Sequence, residues 1–313
     1  MIYTVTLNPA VDREYVVPRL VPNSVLRASQ VHIDYGGKGL NVSRMLNALG
    51  MGSTALGFIG RNAGAFLESG LTSLGITTDF VNISQETRTN TTIVESEGRD
   101  HYKVNETGPI ISIEEQHKLV DKVKKRIKAE DWWVLAGSLP PGVPATFYRE
   151  LITIIQSAGA NAILDSSGEA LNEGVKAKPF LIKPNIIEAQ SLTGVKGRTL
   201  NDMEEMQKTI HNWGIRISLI SAGKRTSILS DRVSIWHSTP PKIEEANPVG
   251  AGDAMLAGLL FGYLTEEEIS KAFAWGIAAG SAAARKPGTA MPTKREVEDL
   301  IKDVEIKEIE NAL

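Results

Sequence analysis

The sequence predicts an α/β protein in which a mainly parallel central sheet is covered by helices on both faces. Short apolar runs alternate with segments of helical period over most of the 313 residues. Such strand–helix alternation implies right-handed crossovers between parallel strands. Two stretches, Glu14–Tyr35 and Thr87–Val104, interrupt the alternation because each reads as strand without an intervening helix. We therefore expect one domain over residues 1–313, with lid strands inserted from about 12–35 and 87–104.

The individual elements follow from apolar periodicity and from the residues that begin or end each segment. The expected strands are Ile2–Leu7, Ser53–Ile59, Trp132–Ala136, Ala162–Asp165, Phe180–Lys183 and Ile215–Ser221. The expected helices are Leu40–Leu49, Ala63–Leu74, Ser112 to about Lys128, Ala145–Ser157, and three that start at Gly250, Thr265 and Thr293.

Three helix starts and one hairpin carry more specific signals. Ser112, Thr265 and Thr293 are each followed three residues later by Glu, the spacing of a capping box. In the second irregular stretch, Thr91–Glu95 and His101–Val104 are expected to pair as a hairpin that turns at Glu97–Asp100. The sequence thus predicts where three helices begin and which two lid strands pair.

The composition excludes several functional classes. The chain has 34 Lys plus Arg against 37 Asp plus Glu, so neither nucleic acid nor an anionic membrane is expected as its main partner. It has no cysteine, which excludes disulfides, thiolate zinc sites and thiol nucleophiles and fits a reducing compartment. The N-terminus reads as a strand without a basic leader, and the longest apolar stretches fall short of the ~18–20 residues that span a bilayer. We expect a cytoplasmic protein.

The common phosphate, dinucleotide and zinc motifs are missing. No Gly-x-x-x-x-Gly-Lys-Ser/Thr loop is present, and no Gly-x-Gly-x-x-Gly follows the first strand. The five histidines lack the spacing of metal ligands. Any phosphate chemistry would therefore depend on other segments.

The strongest positive signal is Asn247-Pro-Val-Gly-Ala-Gly-Asp253, which leads into an apolar helix. Small residues at Gly250, Ala251 and Gly252 leave backbone N–H groups free at a helix start, where the helix dipole also favours an anion. Asp253 falls beside that anion hole and could accept a proton from a hydroxyl. The alternative is that Asp253 only stabilises the helix start.

Three further segments join a strand end to polar side chains. Asp34–Ser43 contains a Gly-Gly-Lys-Gly turn with Lys38 and Asn41, although a tight turn with a solvated lysine would have the same sequence. Asp12 follows the first strand and could accept two bonds from sugar hydroxyls, or simply form a turn. Asn185 and Glu188 could hold Mg²⁺ through water, or serve as a helix cap.

The order of these segments resembles the ribokinase/phosphofructokinase B family of carbohydrate kinases across essentially the whole chain. Gly-Gly-Lys-Gly-x-Asn lies near the N-terminus and Asn-Pro-Val-Gly-Ala-Gly-Asp near the C-terminus. Three other segments agree: Ala136–Gly142, Lys183–Glu188 and Ile220–Gly223. Within the family, three segments look most like the branch that acts on phosphorylated ketohexoses: Thr6–Asp12, Thr87–Asn90 and Asn105–Pro109.

The resemblance implies a ribokinase-like three-layer α/β/α core with a β-sheet lid, ATP and Mg²⁺ as cofactors, and a homodimer formed through the lid. It implies that Asp253 is the base and that Gly250, Ala251 and Gly252 form the anion hole. It assigns the sugar hydroxyls to Asp12, Gly37, Asn41 and Ser138. It assigns the phosphate of the substrate to Arg27, Lys38, Arg88 and Lys103. It assigns Mg²⁺ and ATP to Lys183, Asn185, Glu188, Ser221, Gly223, Ala279 and Gly280.

The substrate is less well determined than the reaction. The resemblance favours fructose 1-phosphate, converted to fructose 1,6-bisphosphate, with tagatose 6-phosphate or fructose 6-phosphate as alternatives. Two other hypotheses are a kinase for an unphosphorylated sugar or nucleoside and a catalytically silent sugar-phosphate sensor. One departure from the family concerns Ser221-Ala-Gly-Lys-Arg-Thr, which lacks a second glycine, so Lys224 and Arg225 are weaker candidates for nucleotide contact than Ser221 and Gly223.

Overall fold

The computed structural model describes residues 1–97 and 100–309. The strands are β1 Ile2–Thr6, β2 Ala10–Val17, β3 Gln30–Gly36, β4 Thr54–Gly60, β5 Thr77–Thr78, β6 Val81–Ile83, β7 Arg88–Glu95, β8 His101–Asn105, β9 Trp132–Ala136, β10 Asn161–Asp165, β11 Leu181–Ile182, β12 Ile217–Ile220, β13 Ser227–Ser230, β14 Ile235–Ser238 and β15 Lys307–Glu308. The α-helices are α1 Lys38–Ala48, α2 Arg61–Ser73, α3 Ile113–Arg126, α4 Phe147–Ser157, α5 Gly168–Gly174, α6 Ile186–Thr193, α7 Leu200–Asn212, α8 Ala251–Thr265, α9 Ile269–Ala284 and α10 Lys294–Ile301.

The main sheet has eleven strands in the order β15-β14-β13-β12-β11-β10-β9-β1-β4-β5, and β6 also pairs with β4. From β12 through β11, β10, β9 and β1 to β4 all pairings are parallel. Beyond β12 the strands β13, β14 and β15 add in antiparallel fashion. The parallel strands end at one edge of the sheet, which is where open α/β sheets bind ligands.

Helices cover both faces of this sheet, as the α/β pattern predicts. Every residue of β1 is buried, and alternate side chains belong to different clusters. Tyr3 and Val5 pack with α3, α4 and α7, whereas Ile2 packs with α1, α8 and α9. Tyr3 also stacks on Trp133 of β9, with ring centroids 4.2 Å apart. A strand buried on both faces needs apolar residues at successive positions, and this explains why these strands read as continuous apolar runs.

The lid is a separate sheet of four strands in the order β3-β2-β7-β8. β2 pairs antiparallel with β3 and parallel with β7, while β7 and β8 form the expected antiparallel hairpin. Residues 98 and 99, in the turn between β7 and β8, lie outside the described residues. The base of the lid packs on α2, where Tyr35 contacts Phe66 with ring centroids 5.2 Å apart.

Two of the three predicted capping boxes are confirmed and one is wrong. Ser112 with Glu115 and Thr293 with Glu296 form complete boxes at the starts of α3 and α10. Thr265 instead is the last residue of α8, where its Oγ1 donates to the Phe261 carbonyl at 2.9 Å. Helix α9 begins four residues later, after Glu268, without a side-chain cap.

Helices α5 and α7 were not predicted, and α6 was foreseen only through the possible helix cap at Asn185. They lie between β10 and β12 and form part of the layer that covers one face of the sheet. Within the described parts of the chain, no helix is long and apolar enough to cross a bilayer.

Candidate active site

The carboxyl ends of β9, β10, β11 and β12 meet the N-terminus of α8 at one edge of the sheet. Gly250 precedes α8 in the left-handed conformation with φ of 81°, which a glycine adopts without steric cost. A Cβ on Gly252 would lie 3.5 Å from Lys183 Nζ, so the first turn of α8 faces the lysine that follows β11. The Ala251 N–H donates to the Pro248 carbonyl at 3.2 Å, whereas the N–H groups of Gly250 and Gly252 make no such backbone bond among the described residues. These two N–H groups, the helix dipole and the Lys183 ammonium group therefore lie together at the start of α8.

Asp253 lies in the first turn of α8 and is buried. Its Oδ2 accepts a hydrogen bond of 2.8 Å from Asn41 Nδ2 of α1. Burial, together with the nearby Asp165 carboxylate, raises the pKa of Asp253 to about 6, although Lys38, Asn41 and Lys183 act in the opposite direction. A carboxyl with a pKa close to neutrality is suited to accept a proton from a hydroxyl.

Asp165, at the end of β10, organises the cations of this site. Its side chain is fully buried and lies 2.7 Å from Lys38 Nζ and 3.1 Å from Lys183 Nζ. Burial would favour the neutral acid, but the two lysines prevail and hold the pKa of Asp165 below its ordinary value. Burial acts against the charge of Lys38 as well, yet Asp165 and Asp253 raise its pKa above the ordinary value. Lys38 thus remains charged beside the α8 N-terminus.

Gly37 and Ser138 flank this cluster. Gly37 precedes α1 with φ of 132°, and a Cβ there would lie 2.8 Å from Thr6 Cγ2, so only glycine fits. Ser138 follows β9 and is exposed. Its neighbour Gly137 adjoins Lys38, since a Cβ on Gly137 would lie 3.9 Å from Lys38 Cβ. Both predicted residues therefore lie at the same sheet edge as Asp253.

Asp12, at the base of lid strand β2, forms a second polar cluster. Its Oδ1 accepts a hydrogen bond of 2.8 Å from Asn90 Nδ2 on β7. A Cβ on Gly36 would lie 2.2 Å from Asp12 Oδ2, so the opposite strand passes too close for a side chain. Burial raises the pKa of Asp12, while the Asn90 hydrogen bond and Arg88 lower it.

Arg88 connects the lid to the loop that follows it. Its Nη1 donates to the Glu106 carbonyl at 2.9 Å and its Nη2 donates to the Asn8 carbonyl at 3.0 Å. Its Nε is buried, as are Asn90 Oδ1 and Asn8 Oδ1, and none of the three has a hydrogen-bond partner within residues 1–97 and 100–309. An open cavity of about 510 Å³ lies beside Arg88 and is also lined by Arg61 and Glu106.

The four cations predicted for the substrate phosphate are not assembled into one group. Arg88 and Lys103 lie on the same lid face as Asp12. The pairings of β2, β7 and β8 place these three residues an even number of positions apart, and alternate residues of a strand point to the same face. Lys38 lies with Asp165 and Asp253 in the core. Arg27 is exposed in the connection between β2 and β3, beyond the end of the lid that is remote from Asp12. The structure thus divides these four cations among the core, the lid face and the β2–β3 connection, and their assignment to the substrate phosphate stays a prediction.

Asn185 and Glu188 form the helix cap that was the alternative interpretation. Asn185 Oδ1 accepts from the backbone N–H groups of Ile187 and Glu188 at 2.9 Å each, and Glu188 Oε2 accepts from the Asn185 N–H at 2.8 Å. Asn185 also pairs with Ser221, so the segments after β11 and β12 run side by side. Gly223 lies just beyond, with φ of 61° and open space where a Cβ would be.

Ala279 and Gly280 differ although they are neighbours on α9. Ala279 is fully buried, and a Cβ on Gly258 of α8 would lie 2.7 Å from its own Cβ. Its methyl group therefore packs between two helices and does not line an open surface. Gly280 is partly exposed, and a Cβ there would lie 3.1 Å from the Ala251 carbonyl oxygen. Of the two, Gly280 is the one that adjoins the first turn of α8.

Sequence reasoning missed three residues of the site. Asp165 ends a predicted strand, which was the available signal, but its pairing with two lysines is a tertiary contact. Asn90 was part of a quoted motif and was not assigned a role. Arg44 is three residues beyond Asn41 and donates to it, although it reads as an ordinary helix arginine.

Comparison with known proteins identifies the family. The profile of the pfkB family of carbohydrate kinases matches residues 5–295. The 1-phosphofructokinase of Borreliella burgdorferi is 34% identical over 287 residues, which cover 91% of this chain and 92% of that protein. The tagatose-6-phosphate kinase of Staphylococcus epidermidis is 34% identical over 286 residues, with 88% and 91% covered.

Solved structures agree with this family. Phosphofructokinase-2 from Escherichia coli, in complex with substrates and products, superposes with a TM-score of 0.92 at 28% identity, covering 96% of this chain and 98% of that one. A tetrameric inhibited form of the same protein gives a TM-score of 0.89. The ribokinase-like fold is thereby confirmed, and ATP as phosphate donor is implied by the family. The chain belongs to the pfkB family of carbohydrate kinases and is a sugar-phosphate kinase, a phosphotransferase.

Proposed function

We propose that the protein transfers the γ-phosphoryl group of ATP to the C6 hydroxyl of fructose 1-phosphate and so forms fructose 1,6-bisphosphate. The observation that carries this proposal is the buried Asp253, with a pKa raised to about 6, at the start of α8 and beside two paired lysines. Tagatose 6-phosphate is the second candidate, since one relative at 34% identity is a tagatose-6-phosphate kinase.

The chemistry follows from the position of each group. Asp253 accepts the proton of the sugar hydroxyl while the oxygen of that hydroxyl attacks the γ-phosphorus. The bond between the γ-phosphorus and the β-phosphate oxygen breaks, and its electron pair leaves with ADP. The backbone N–H groups of Gly250 and Gly252 stabilise charge on the transferring phosphoryl oxygens, while the Ala251 N–H is held by the Pro248 carbonyl. Lys38 and Lys183, held by Asp165, add positive charge at the same point.

The lid face supplies the sugar contacts in this proposal. Asp12 and Asn90 would bind vicinal hydroxyls, with Asn41, Gly37 and Ser138 on the core side. The buried Asn90 Oδ1 lacks a partner among the described residues, so a ligand hydroxyl could satisfy it. Arg88 and Lys103, on the same lid face, would contact the phosphate already present on the sugar.

Mg²⁺ fits this site only as an ion held largely by ATP and water. In residues 1–97 and 100–309, no three acidic or histidine side chains converge as metal ligands. Asn185 Oδ1 is occupied by two backbone N–H groups, which leaves the Glu188 carboxylate, close enough to influence Lys38, as the best candidate to orient metal-bound water. When bound there, Mg²⁺ would neutralise charge on the ATP phosphates. Ser221, Gly223 and Gly280 would lie along the nucleotide.

The substrate is tested by a screen of sugar phosphates with ATP. A ketofuranose is roughly pseudo-symmetric, so one site could accept fructose 1-phosphate, tagatose 6-phosphate or fructose 6-phosphate, each giving a 1,6-bisphosphate. We expect the highest kcat/KM for fructose 1-phosphate and a far lower value for free fructose. Comparable values for fructose and fructose 1-phosphate would reject the phosphosugar assignment. ADP release that does not depend on sugar phosphate would contradict the kinase reaction itself.

We further propose a cytoplasmic homodimer that forms through the outer face of the lid. Four apolar side chains on this face are exposed: Val31, Ile33, Tyr102 and Val104. The strand register brings them into two adjacent rows, with Tyr15 and Ile93 in one of them. An exposed apolar sheet face of this kind is typical of an association surface. A sedimentation experiment should find a dimer that Val104→Asp dissociates, and a wild-type monomer would contradict the proposal.

A further inference from the structure

Arg44 is a buried cation beneath the candidate active site. It lies on α1 with 8% of its surface exposed. Its Nη1 approaches three oxygens, at 3.3 Å from Asn41 Oδ1, 3.3 Å from the Tyr35 carbonyl and 3.2 Å from Thr289 Oγ1. None of these is a carboxylate, and Asp34 and Asp12 act on Arg44 only through longer-range attraction. Burying an arginine without a paired carboxylate lowers the stability of the fold, so we expect Arg44 to serve a function that compensates for this cost.

The contact with Asn41 holds the far end of the amide whose other end faces the carboxyl of Asp253. An amide side chain has one accepting oxygen and one donating nitrogen, whereas a guanidinium can only donate. Arg44 therefore requires Asn41 Oδ1 to point toward it. The Nδ2 group is then directed at Asp253 Oδ2, 2.8 Å away. The Asp253 carboxylate, an acceptor, favours the same orientation, so Arg44 reinforces it, and without Arg44 the amide would be held at one end only.

Arg44 is itself held between the lid and the segment that joins α9 to α10. The Thr289 N–H donates to Asp34 Oδ2 on β3 at 3.0 Å, and the Thr289 hydroxyl accepts from Arg44. Gly288 has φ of 56°, and a Cβ there would lie 2.7 Å from Asp34 Oδ2. Because Arg44 bonds α1, the end of β3 and this segment at once, its guanidinium has a defined position.

We propose that Arg44 is a positioning residue for phosphoryl transfer, which acts by fixing the Asn41 amide so that its N–H group, and not its oxygen, faces Asp253. The proposal rests on the proposed role of Asp253 as base. The other charged groups that face Asp253 come from separate elements: Asp165 from β10, Lys38 from α1 and Lys183 from the segment after β11. Arg44 touches none of these three directly, so its effect on catalysis passes through Asn41.

A double-mutant cycle on kcat tests this pathway. Arg44→Met should lower kcat by about tenfold, the effect of one hydrogen bond to a charged group, and leave KM for ATP unchanged. Asn41→Ala should lower kcat by at least as much. The double variant should be no slower than Asn41→Ala alone, because Arg44 has no further route to Asp253. Arg44→Lys, which keeps a cation but loses the planar fork, should recover part of the activity.

Three controls make the outcome decisive. Arg149→Met removes an arginine that pairs with Glu173 at 2.7 Å on the surface, and its kcat should equal that of the wild type. If Arg44→Met does not fold, the same cycle is run with Arg44→Lys. Multiplicative effects of the two substitutions would overturn the proposal, as would a rise in KM for ATP equal to the fall in kcat. Asp253→Asn separates the two levels of inference: if it stays active, the assigned base is wrong, and if it is inactive while the cycle is multiplicative, only the role of Arg44 is wrong.

Discussion

The core half and the lid half of the site differ in how their polar groups are satisfied. In the core, Asp165 pairs with Lys38 and Lys183, and Asn41 donates to Asp253, so the charged groups are partnered within the chain. On the lid face, Asn90 Oδ1 and Arg88 Nε are buried without a hydrogen-bond partner among the described residues. Asp165 Oδ2 also makes no hydrogen bond of good geometry, but it lies 3.1 Å from Lys183 Nζ as an ion pair, so its charge is compensated within the chain. The two lid atoms have no such compensation among the described residues, and buried polar atoms without partners are costly.

This difference indicates separate tasks for the two regions. A paired cluster holds its geometry before any ligand arrives, as stabilisation of developing charge requires. An incomplete polar face gains its missing hydrogen bonds only when a ligand supplies them, as selection of a substrate requires. Substitutions in the core should therefore change kcat or stability, whereas substitutions on the lid face should change KM for the sugar phosphate.

The largest effect is expected for Asp253→Asn. An amide cannot accept the hydroxyl proton, so kcat should fall by roughly 10²–10⁴. The variant should fold and bind ATP and sugar phosphate as the wild type does, which calorimetry would measure. Retention of more than about a tenth of wild-type kcat would remove Asp253 from the role of base, because general-base catalysis contributes far more than that.

Asp165→Asn should have the next largest effect. It leaves two lysines without their shared carboxylate in a buried setting, and we expect the free energy of unfolding to fall by about 3 kcal/mol. Urea denaturation measures this change. Glu173→Gln is the matched control, since Glu173 also pairs with two cations, Arg149 and Lys176, but at the surface. Equal destabilisation by the two substitutions would contradict the view of the core cluster as a preformed unit.

Arg88→Ala tests the lid side of the comparison. If Arg88 contacts the phosphate of the substrate, KM for the sugar phosphate should rise by at least about tenfold, the value of one charge-assisted hydrogen bond. KM for ATP should stay nearly constant. The substitution also removes bonds to the Glu106 and Asn8 carbonyls, so thermal denaturation must accompany the kinetics. A fall in kcat with both KM values unchanged would place Arg88 with the core group instead.

The pH dependence of kcat/KM of the wild type should reflect the ionisation of Asp253 in the core cluster. Asp253 must be ionised to accept a proton, and its pKa is raised to about 6, so kcat/KM should decline as the pH falls below about 6. Asp165→Asn removes a negative charge that raises this pKa and should shift the acidic limb to lower pH. Arg149→Met should leave the limb in place. An acidic limb near the ordinary aspartate pKa of ~4 would show that Asp253 is not perturbed in the working enzyme.

The sequence was sufficient to predict features whose interacting residues are close together in the chain. The capping boxes at Ser112 and Thr293 and the hairpin of β7 and β8 depend on residues close in the chain, and all were predicted correctly. The same spacing at Thr265 failed because α8 continues through that residue, packed along α9, and the hydroxyl bonds a carbonyl within its own helix. The position of Asp253 in the first turn of α8 was predicted for the same local reason, since Gly250 and Gly252 mark that helix start, whereas its role as base stays a prediction.

The sequence by itself therefore determined the α/β class, the family and the place of Asp253 in the first turn of a helix that follows a glycine-rich segment. Only the tertiary structure decided which charges meet, because those contacts join distant segments: Lys38 and Asp165 are 127 residues apart, and Asn41 and Asp253 are 212 apart. Residue spacing predicts the face of a helix or strand but carries no information about such pairs. For that reason four cations that looked equivalent in the sequence were divided by the fold among the core, the lid face and the far end of the lid.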